Sequence, residues 1–327
     1  MKKLLFVTVF AGSLAALAVT LYLMLTIYRG DMDLSDGTGA APNEHSERIV
    51  VISQEQGSYV MNEMQKGARD AAAVHGMMID FWGVYRSNVE ELLKQVDIAI
   101  ASKVDGIIIE GVDRPDFARL VNKATEKGIP VITINSDVPG SLRKTYIGSD
   151  HYREGILMGH HLAAQLKGEG IVGVVMNADT SDTDQLRLRG LREVLNAYAG
   201  IRLVFASENA AKLQAGMQTD DILNHYPGVK AFIGLPADSG KSIVEAADSR
   251  SKRRASEVFM FDDSPQTESL LRAGLVQAGL SQHYEEMGKM SVDLLRRWLD
   301  NDRLPLDASY FTPISVVAAP GAKEAAP

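Results

Sequence analysis

Short apolar runs that each end in one polar residue, separated by amphipathic stretches of helical period, constrain this chain more than any other feature. Val131-Ile-Thr-Ile-Asn135, Val258-Phe-Met-Phe-Asp262 and Val276-Gln-Ala-Gly-Leu-Ser-Gln282 are the clearest. Alternation of β-rich runs with helical stretches specifies a parallel sheet with crossover helices. In open sheets of that kind, ligands bind outside the carboxyl ends of the strands. The polar strand ends are therefore predicted to converge on one crevice.

The alternation runs twice. Strands are predicted at Ile49–Ile52, Met77–Phe81, Gly106–Ile109, Val131–Ile134 and Thr145–Ile147, then at Ile171–Val175, Leu203–Phe205, Ala231–Ile233, Val258–Phe261 and Val276–Leu280, with helices between them. At 327 residues and 46% hydrophobic, the chain is long enough for two lobes with a core each. Pro115 opens the third predicted helix and Gly128 closes it. Tyr284 to Leu299 reads as a long amphipathic last helix.

The ends differ in character. Lys2 and Lys3 precede an uncharged apolar run from Leu4 to Tyr28, about 37 Å of helix at about 1.5 Å per residue. A bilayer core is about 30 Å thick, and the aspartates at 31, 33 and 36 suit an inside-to-outside span. Residues 1–30 are thus expected to be an uncleaved anchor, with a cleavable signal as the alternative because Ala16-Leu17-Ala18 has the composition of a cleavage site. Residues 31–47 read as a flexible tether and 318–327 as a mobile tail.

Bulk properties exclude several functions. A formal charge of -8 argues against nucleic acid, which needs a basic face. With no cysteine, disulfides, thiolate metal sites and a lipidated N-terminal cysteine are all excluded. Neither a G-x-S-x-G elbow nor a nucleotide loop is present, so nothing supports an enzyme, and no cofactor is implied.

The landmarks Ile132-Thr-Ile-Asn135-Ser-Asp137, Tyr146-Ile-Gly148-Ser-Asp150, Arg187 with Gly190, Phe261-Asp262-Asp263, and Leu280-Ser-Gln282 followed by Gly288 stand in the order and spacing of a known family. Over about residues 48 to 315 the chain resembles type I periplasmic binding proteins of the ribose and monosaccharide class. The resemblance implies two Rossmann-like lobes with parallel sheets, joined by three crossing strands and holding a ligand between them. Crossings are expected near Ser149, near Gln282 and His283, and near Leu304 to Asp307. The lobes would then comprise 48–149 with 283–304, and 150–282 with 305–317. It also implies a monosaccharide or small polyol as ligand, and a membrane permease of an ABC importer or a sensor kinase as partner. An anchor in place of a lipidated cysteine favours the sensor. The lactose-repressor family shares this core, but its DNA-binding helices would fall where the apolar run lies.

Sugar hydroxyls both donate and accept, and a dry crevice must satisfy each. Asp262 can accept two hydroxyl protons, Arg187 can donate a planar pair of bonds, and Asn135 and Gln282 can do both. Removing Asp262 or Arg187 is expected to abolish binding and leave the fold intact. The resemblance places the ring of Tyr59 against the sugar's apolar face, with Gln56 in the same loop and Asp238 near the site. Val60 and the pair Ala210 and Ala211 stand where relatives carry further aromatics, and Trp82 and Tyr85, near the end of the second strand, are expected to overhang the cleft mouth.

Each of these residues also has an ordinary structural reading. Asp262 suits a helix cap beside Ser264-Pro265, although Asp263 or Ser264 can cap and leave it free. Arg187 fits a surface arginine run with Arg189 and Arg192, Asn135 a turn, Gln282 a partner for backbone, and Tyr59 a core position on its helix. Asp179, Asp182 and Asp184 lack the glycine and closing glutamate of a calcium loop, and adjacent His160 and His161 point apart on a helix. No metal site is expected, and Ser251 to Arg254 reads as a solvated loop.

Overall fold

Ile49 to Ile52 are buried without a break, as a strand covered on both faces requires. The computed structural model describes residues 17–20, 22, 46–85, 88–176, 182–237, 239–249 and 256–318. The chain divides into Met1–Ser46 and Glu47–Pro327, and every element below belongs to the second unit. No helix among the described residues is long and apolar enough to cross a membrane. Most of the predicted anchor and tether, and nearly all of the tail, lie outside those residues.

The first lobe opens with β1 (Arg48–Ser53), α1 (Tyr59–His75), β2 (Met78–Gly83), α2 (Val89–Ala101), β3 (Gly106–Glu110), α3 (Pro115–Glu126), β4 (Val131–Ile134) and β5 (Thr145–Gly148). Local chemistry sets the helix ends. Ser58 accepts from the Met61 N–H at the start of α1, and Gly76 ends it in the left-handed conformation.

The chain then crosses into the second lobe through α4 (His151–Gln165), β6 (Glu169–Val175), α5 (Asp182–Leu195), β7 (Gly200–Phe205), α6 (Ala215–His225), β8 (Val229–Gly234), α7 (Gly240–Ser249), β9 (Glu257–Met260), α8 (Pro265–Arg272) and β10 (Ala278–Ser281). Helix α9 (Tyr284–Leu299) packs back onto the first lobe, followed by β11 (Ser309–Phe311) and β12 (Ser315–Ala318).

The sheets have orders β11-β5-β4-β3-β1-β2 and β12-β10-β9-β8-β6-β7. All pairings are parallel except β10 with β12. Each sheet carries an apolar core on both faces, the first lobe through the clusters around Met64 and Phe117, the second through those around Leu191 and Phe232.

The first two crossings lie at Ser149–Asp150 and Gln282–His283, between β5 and α4 and between β10 and α9. The third differs from expectation. Leu306 is buried in the first-lobe core, and β11 pairs with β5 through Ser309, Tyr310 and Phe311. The chain therefore stays in the first lobe to Phe311 and crosses at Thr312–Ile314, not at Leu304–Asp307. Buried Thr312 ties all three crossings: its N–H donates to Gly148 O (2.9 Å), while its hydroxyl donates to Gln282 O (2.8 Å) and reaches Gly148 O (3.3 Å).

One device recurs in both lobes. A Cβ at Gly67 of α1 or Gly288 of α9 would collide with the facing helix backbone, and the same holds for Gly155 of α4 and Gly190 of α5. Glycine pairs thus let the helix that enters each lobe lie against the helix that follows that lobe's first strand.

Candidate functional site

Close packing at Gly155 and Gly190 brings the neighbouring side chains, Glu154 and Arg187, together. Arg187 Nε donates to Glu154 Oε2 (2.7 Å) and Nη1 to Leu235 O (2.9 Å), which leaves Nη2 uncommitted among the described residues. The guanidinium lies 4.9 Å from the ring centroid of Phe261. With 5% exposure, Arg187 is not the surface arginine of the simple reading; Arg189 and Arg192 are the outer ones, stacked on Tyr152 and Phe205. Burial alone raises the Glu154 carboxyl, but the charge of Arg187 and the bond from His151 hold it at about 2.

Asp262 follows β9 and is also buried. The sequence reading leaves it free of the helix cap, but it is not free: Oδ1 accepts from the Ser264 N–H (2.7 Å) and Oδ2 from the Thr267 hydroxyl (2.6 Å). Ser264 is the N-cap of α8, so Asp262 braces the start of that helix beside it. Burial pushes its carboxyl up, against the pull of those two bonds.

Two tyrosines of the first lobe feel the charge of this group. Tyr59 opens α1, and Tyr284 opens α9 and is buried, with their rings edge-on at 6.3 Å. The Tyr59 phenol is pushed up to about 12 by burial first and then by Asp263, Glu63 and Asp262. Tyr284 is raised by burial, opposed by Arg187 and reinforced by Glu154, Asp263 and Asp262. Groups from the two lobes therefore lie within one another's electrostatic reach. Tyr59 also packs on the first-lobe core, as its ordinary structural reading held.

Asn135 follows β4 with φ of 61°, a left-handed conformation that asparagine tolerates better than most residues. Its Nδ2 donates to Glu110 Oε1 (2.9 Å), and its backbone oxygen accepts from the Tyr146 hydroxyl (3.0 Å). Asn135 lines a cleft of about 920 Å³ between the lobes, with Gln54 and Tyr146 on one wall and Tyr152, Leu186 and Arg189 on the other. Arg187 and Asp262 are not among the residues of that wall.

Gln282 is buried at the second crossing, where Nε2 donates to Phe261 O (3.4 Å), a backbone partner as in its ordinary reading. Gln56 is exposed, and its N–H donates to Val84 O; no hydrogen bond joins its side chain to the other candidates among the described residues. Asp238, Asp179 and the Ser251–Arg254 loop lie outside the described residues. His161 is buried edge-on to Phe259 and held below its ordinary value by burial. No group of three metal-ligating side chains occurs among the described residues.

Sequence reading missed Gln54, Glu110, Glu154 and Tyr284. Glu110 carries the same signal used for Asn135 and Asp262, an apolar run (Ile107 to Ile109) ending in one polar residue. Glu154 has a fainter one, an acid next to a helical glycine.

A family model described as a periplasmic binding protein domain matches residues 49–303. The D-ribose/D-allose-binding protein of Pseudomonas aeruginosa is 21% identical over 298 residues, covering 88% of this chain and 85% of that protein. Among solved structures, GanP, a glucose-galactose binding protein from Geobacillus stearothermophilus, is 29% identical with a TM-score of 0.76, covering 85% of this chain and 99% of its own. The XylFII-LytSN complex includes a chain that is 27% identical with a TM-score of 0.73, covering 84% of this chain and 99% of its own.

Proposed function

The chain belongs to the periplasmic binding protein family, whose members bind solutes and are not enzymes, and from that premise we propose that it is an extracytoplasmic receptor for a monosaccharide or similar small polyol. The observation that carries this reading is the cleft of about 920 Å³ between the lobes, with Gln54, Asn135 and Tyr146 on one side and Tyr152, Leu186 and Arg189 on the other. The sugar-binding names of its relatives support the ligand class.

In this reading Arg187 offers Nη2 to a ligand hydroxyl, and Asp262 offers the lone pairs left by its two internal bonds. Hydrogen bonds to charged groups contribute about 1.5 to 3 kcal/mol each, so these two dominate affinity. Asn135 and Gln282 complete the polar set, and Tyr59 supplies a ring for the sugar's apolar face. Gln56 and Asp238 are further candidates for ligand contact. Contacts from both lobes favour the closed form, and only that difference in affinity drives closure.

The closed form is then presented to a membrane partner, a permease of the ABC importer type. A sensor kinase is the second reading, favoured by the likeness to a chain of the XylFII-LytSN complex. The uncharged run Leu4–Tyr28 serves as an anchor that holds the receptor beside that partner.

Thermal unfolding of the full chain against pentoses, hexoses and polyols tests the ligand class. A ligand at one hundred times its Kd adds about 2.7 kcal/mol, which at about 2–4 °C per kcal/mol is a rise of about 5–11 °C. A flat response to every compound would overturn the sugar reading.

A further inference from the structure

Glu110 is a buried carboxylate at the end of β3 with both oxygens occupied. Oε2 accepts from the Gln54 backbone N–H at 2.6 Å, and Oε1 accepts from Asn135 Nδ2 at 2.9 Å. Gln54 is held in turn, its Nε2 donating to Gly111 O (2.7 Å) and to Ser136 Oγ (3.4 Å). A backbone N–H can only donate, so the 2.6 Å bond fixes Oε2 as an acceptor. Oε1 faces the NH2 end of the Asn135 amide and accepts from it. Burial raises the Glu110 carboxyl, opposed by these same two bonds, and the charge of Glu55 adds to the rise.

Asn135 lines the interlobe cleft, and its Oδ1 makes no hydrogen bond among the described residues. We propose that Glu110 is a positioning residue that sets the hydrogen-bonding sense of Asn135, holding Oδ1 open to accept from a ligand hydroxyl. The proposal deepens the sugar-binding reading and depends on it only for the ligand's identity. It narrows the role given to Asn135, from donor and acceptor alike to an acceptor at a fixed point of the cleft.

Glu110→Gln tests this by reversal. The glutamine keeps its Oε1 on the Gln54 N–H, because that donor cannot change sense. Its Nε2 then faces Asn135, which turns its own oxygen inward and presents NH2 to the cleft.

The first measurement is the Asn135 side-chain amide resonance in asparagine-labelled full chain, assigned with Asn135→Asp. In the wild type one Nδ2 proton is shifted downfield and exchanges slowly with solvent. Glu110→Ala abolishes both properties, and Glu110→Gln moves the resonance to a third position. Should Glu110→Ala fail to fold, wild type against Glu110→Gln carries the same comparison. An amide unchanged by Glu110→Gln would overturn the proposal, and it is the result expected if Glu110 were protonated and already donating to Oδ1.

The second measurement is the affinity of wild type and Glu110→Gln for D-ribose, D-xylose and D-glucose and their monodeoxyfluoro analogues. Fluorine cannot donate. For a sugar that binds, the analogue fluorinated at the hydroxyl facing Asn135 weakens at least tenfold in the wild type and regains most of that loss in Glu110→Gln. An identical analogue profile in both proteins overturns the proposal. If no sugar binds the wild type, the sugar reading falls, while the amide resonance still decides the role of Glu110.

Discussion

Arg187 and Glu154 form an ion pair with 6% and 0% side-chain exposure, and that burial fixes what removing one member does. Breaking a buried pair from one side costs about 3–5 kcal/mol, because the remaining charge has neither water nor partner. Arg187→Met leaves the Glu154 carboxylate buried with its bond to His151 but without its counter-charge. At about 2–4 °C per kcal/mol, the melting temperature falls by about 6–20 °C.

Adding Glu154→Gln to Arg187→Met removes the stranded charge, so the double variant recovers part of the loss and the two substitutions couple in a double-mutant cycle. The pH dependence has a definite sign. Glu154 is held at about 2, below its ordinary 4.5, so the native protein binds this proton less readily than the unfolded chain. The stabilisation is complete above pH 4.5 and is lost as pH falls through 2. Denaturant melts of wild type and Glu154→Gln from pH 7 down to pH 2 should therefore converge toward the acid end. The reasoning is refuted if Arg187→Met costs less than about 1 kcal/mol, or if the two substitutions add without coupling.

Two further outcomes are expected. Thr312→Val keeps the shape of the side chain but removes the hydroxyl between Gln282 O and Gly148 O; leaving a buried acceptor short of its partner costs about 1–3 kcal/mol in chemical denaturation, and no change would mean that the crossings are held by other contacts. Gly190→Ala places a methyl against the Tyr152 backbone oxygen, costs about 1–3 kcal/mol as an overpacked contact, and loosens the Arg187–Glu154 pair beside it; an unaltered acid transition in this variant would separate helix spacing from the ion pair.

The two-lobe alternation was legible because each buried strand is a continuous apolar run, and burial on both faces needs no knowledge of distant residues. The crossing at Ser149–Asp150 was reached through the family resemblance carried by Tyr146 to Asp150. The third was misplaced. Strand β11 is only Ser309, Tyr310 and Phe311, too short for a period to show, and its place in the first sheet depends on β5, more than 160 residues earlier.

Within the candidate site, position was easier to read than occupation. Strand-end logic located Asn135 and Asp262, and spacing to Gly190 singled out Arg187. What those groups bind inside the protein was hidden, because the partners Glu110 and Glu154 come from other elements and become visible only when the sheet register and the helix contact bring them near. Hence Arg187, expected to be removable without harm to the fold, proves to be half of a buried pair. Asp262 erred the other way: its partners, Ser264 and Thr267, are local in sequence, and the capping reading already contained them.

The hydroxyl of Thr312 also bears on how the molecule opens. Three independent cords between two bodies could each twist by its own amount, and a swing about one need not be felt by the others. Stitched at one dry point, they are expected to turn together about a region near residue 312. Cutting that stitch would free extra directions of swing, and the open form would spread over many angles where the intact protein keeps few.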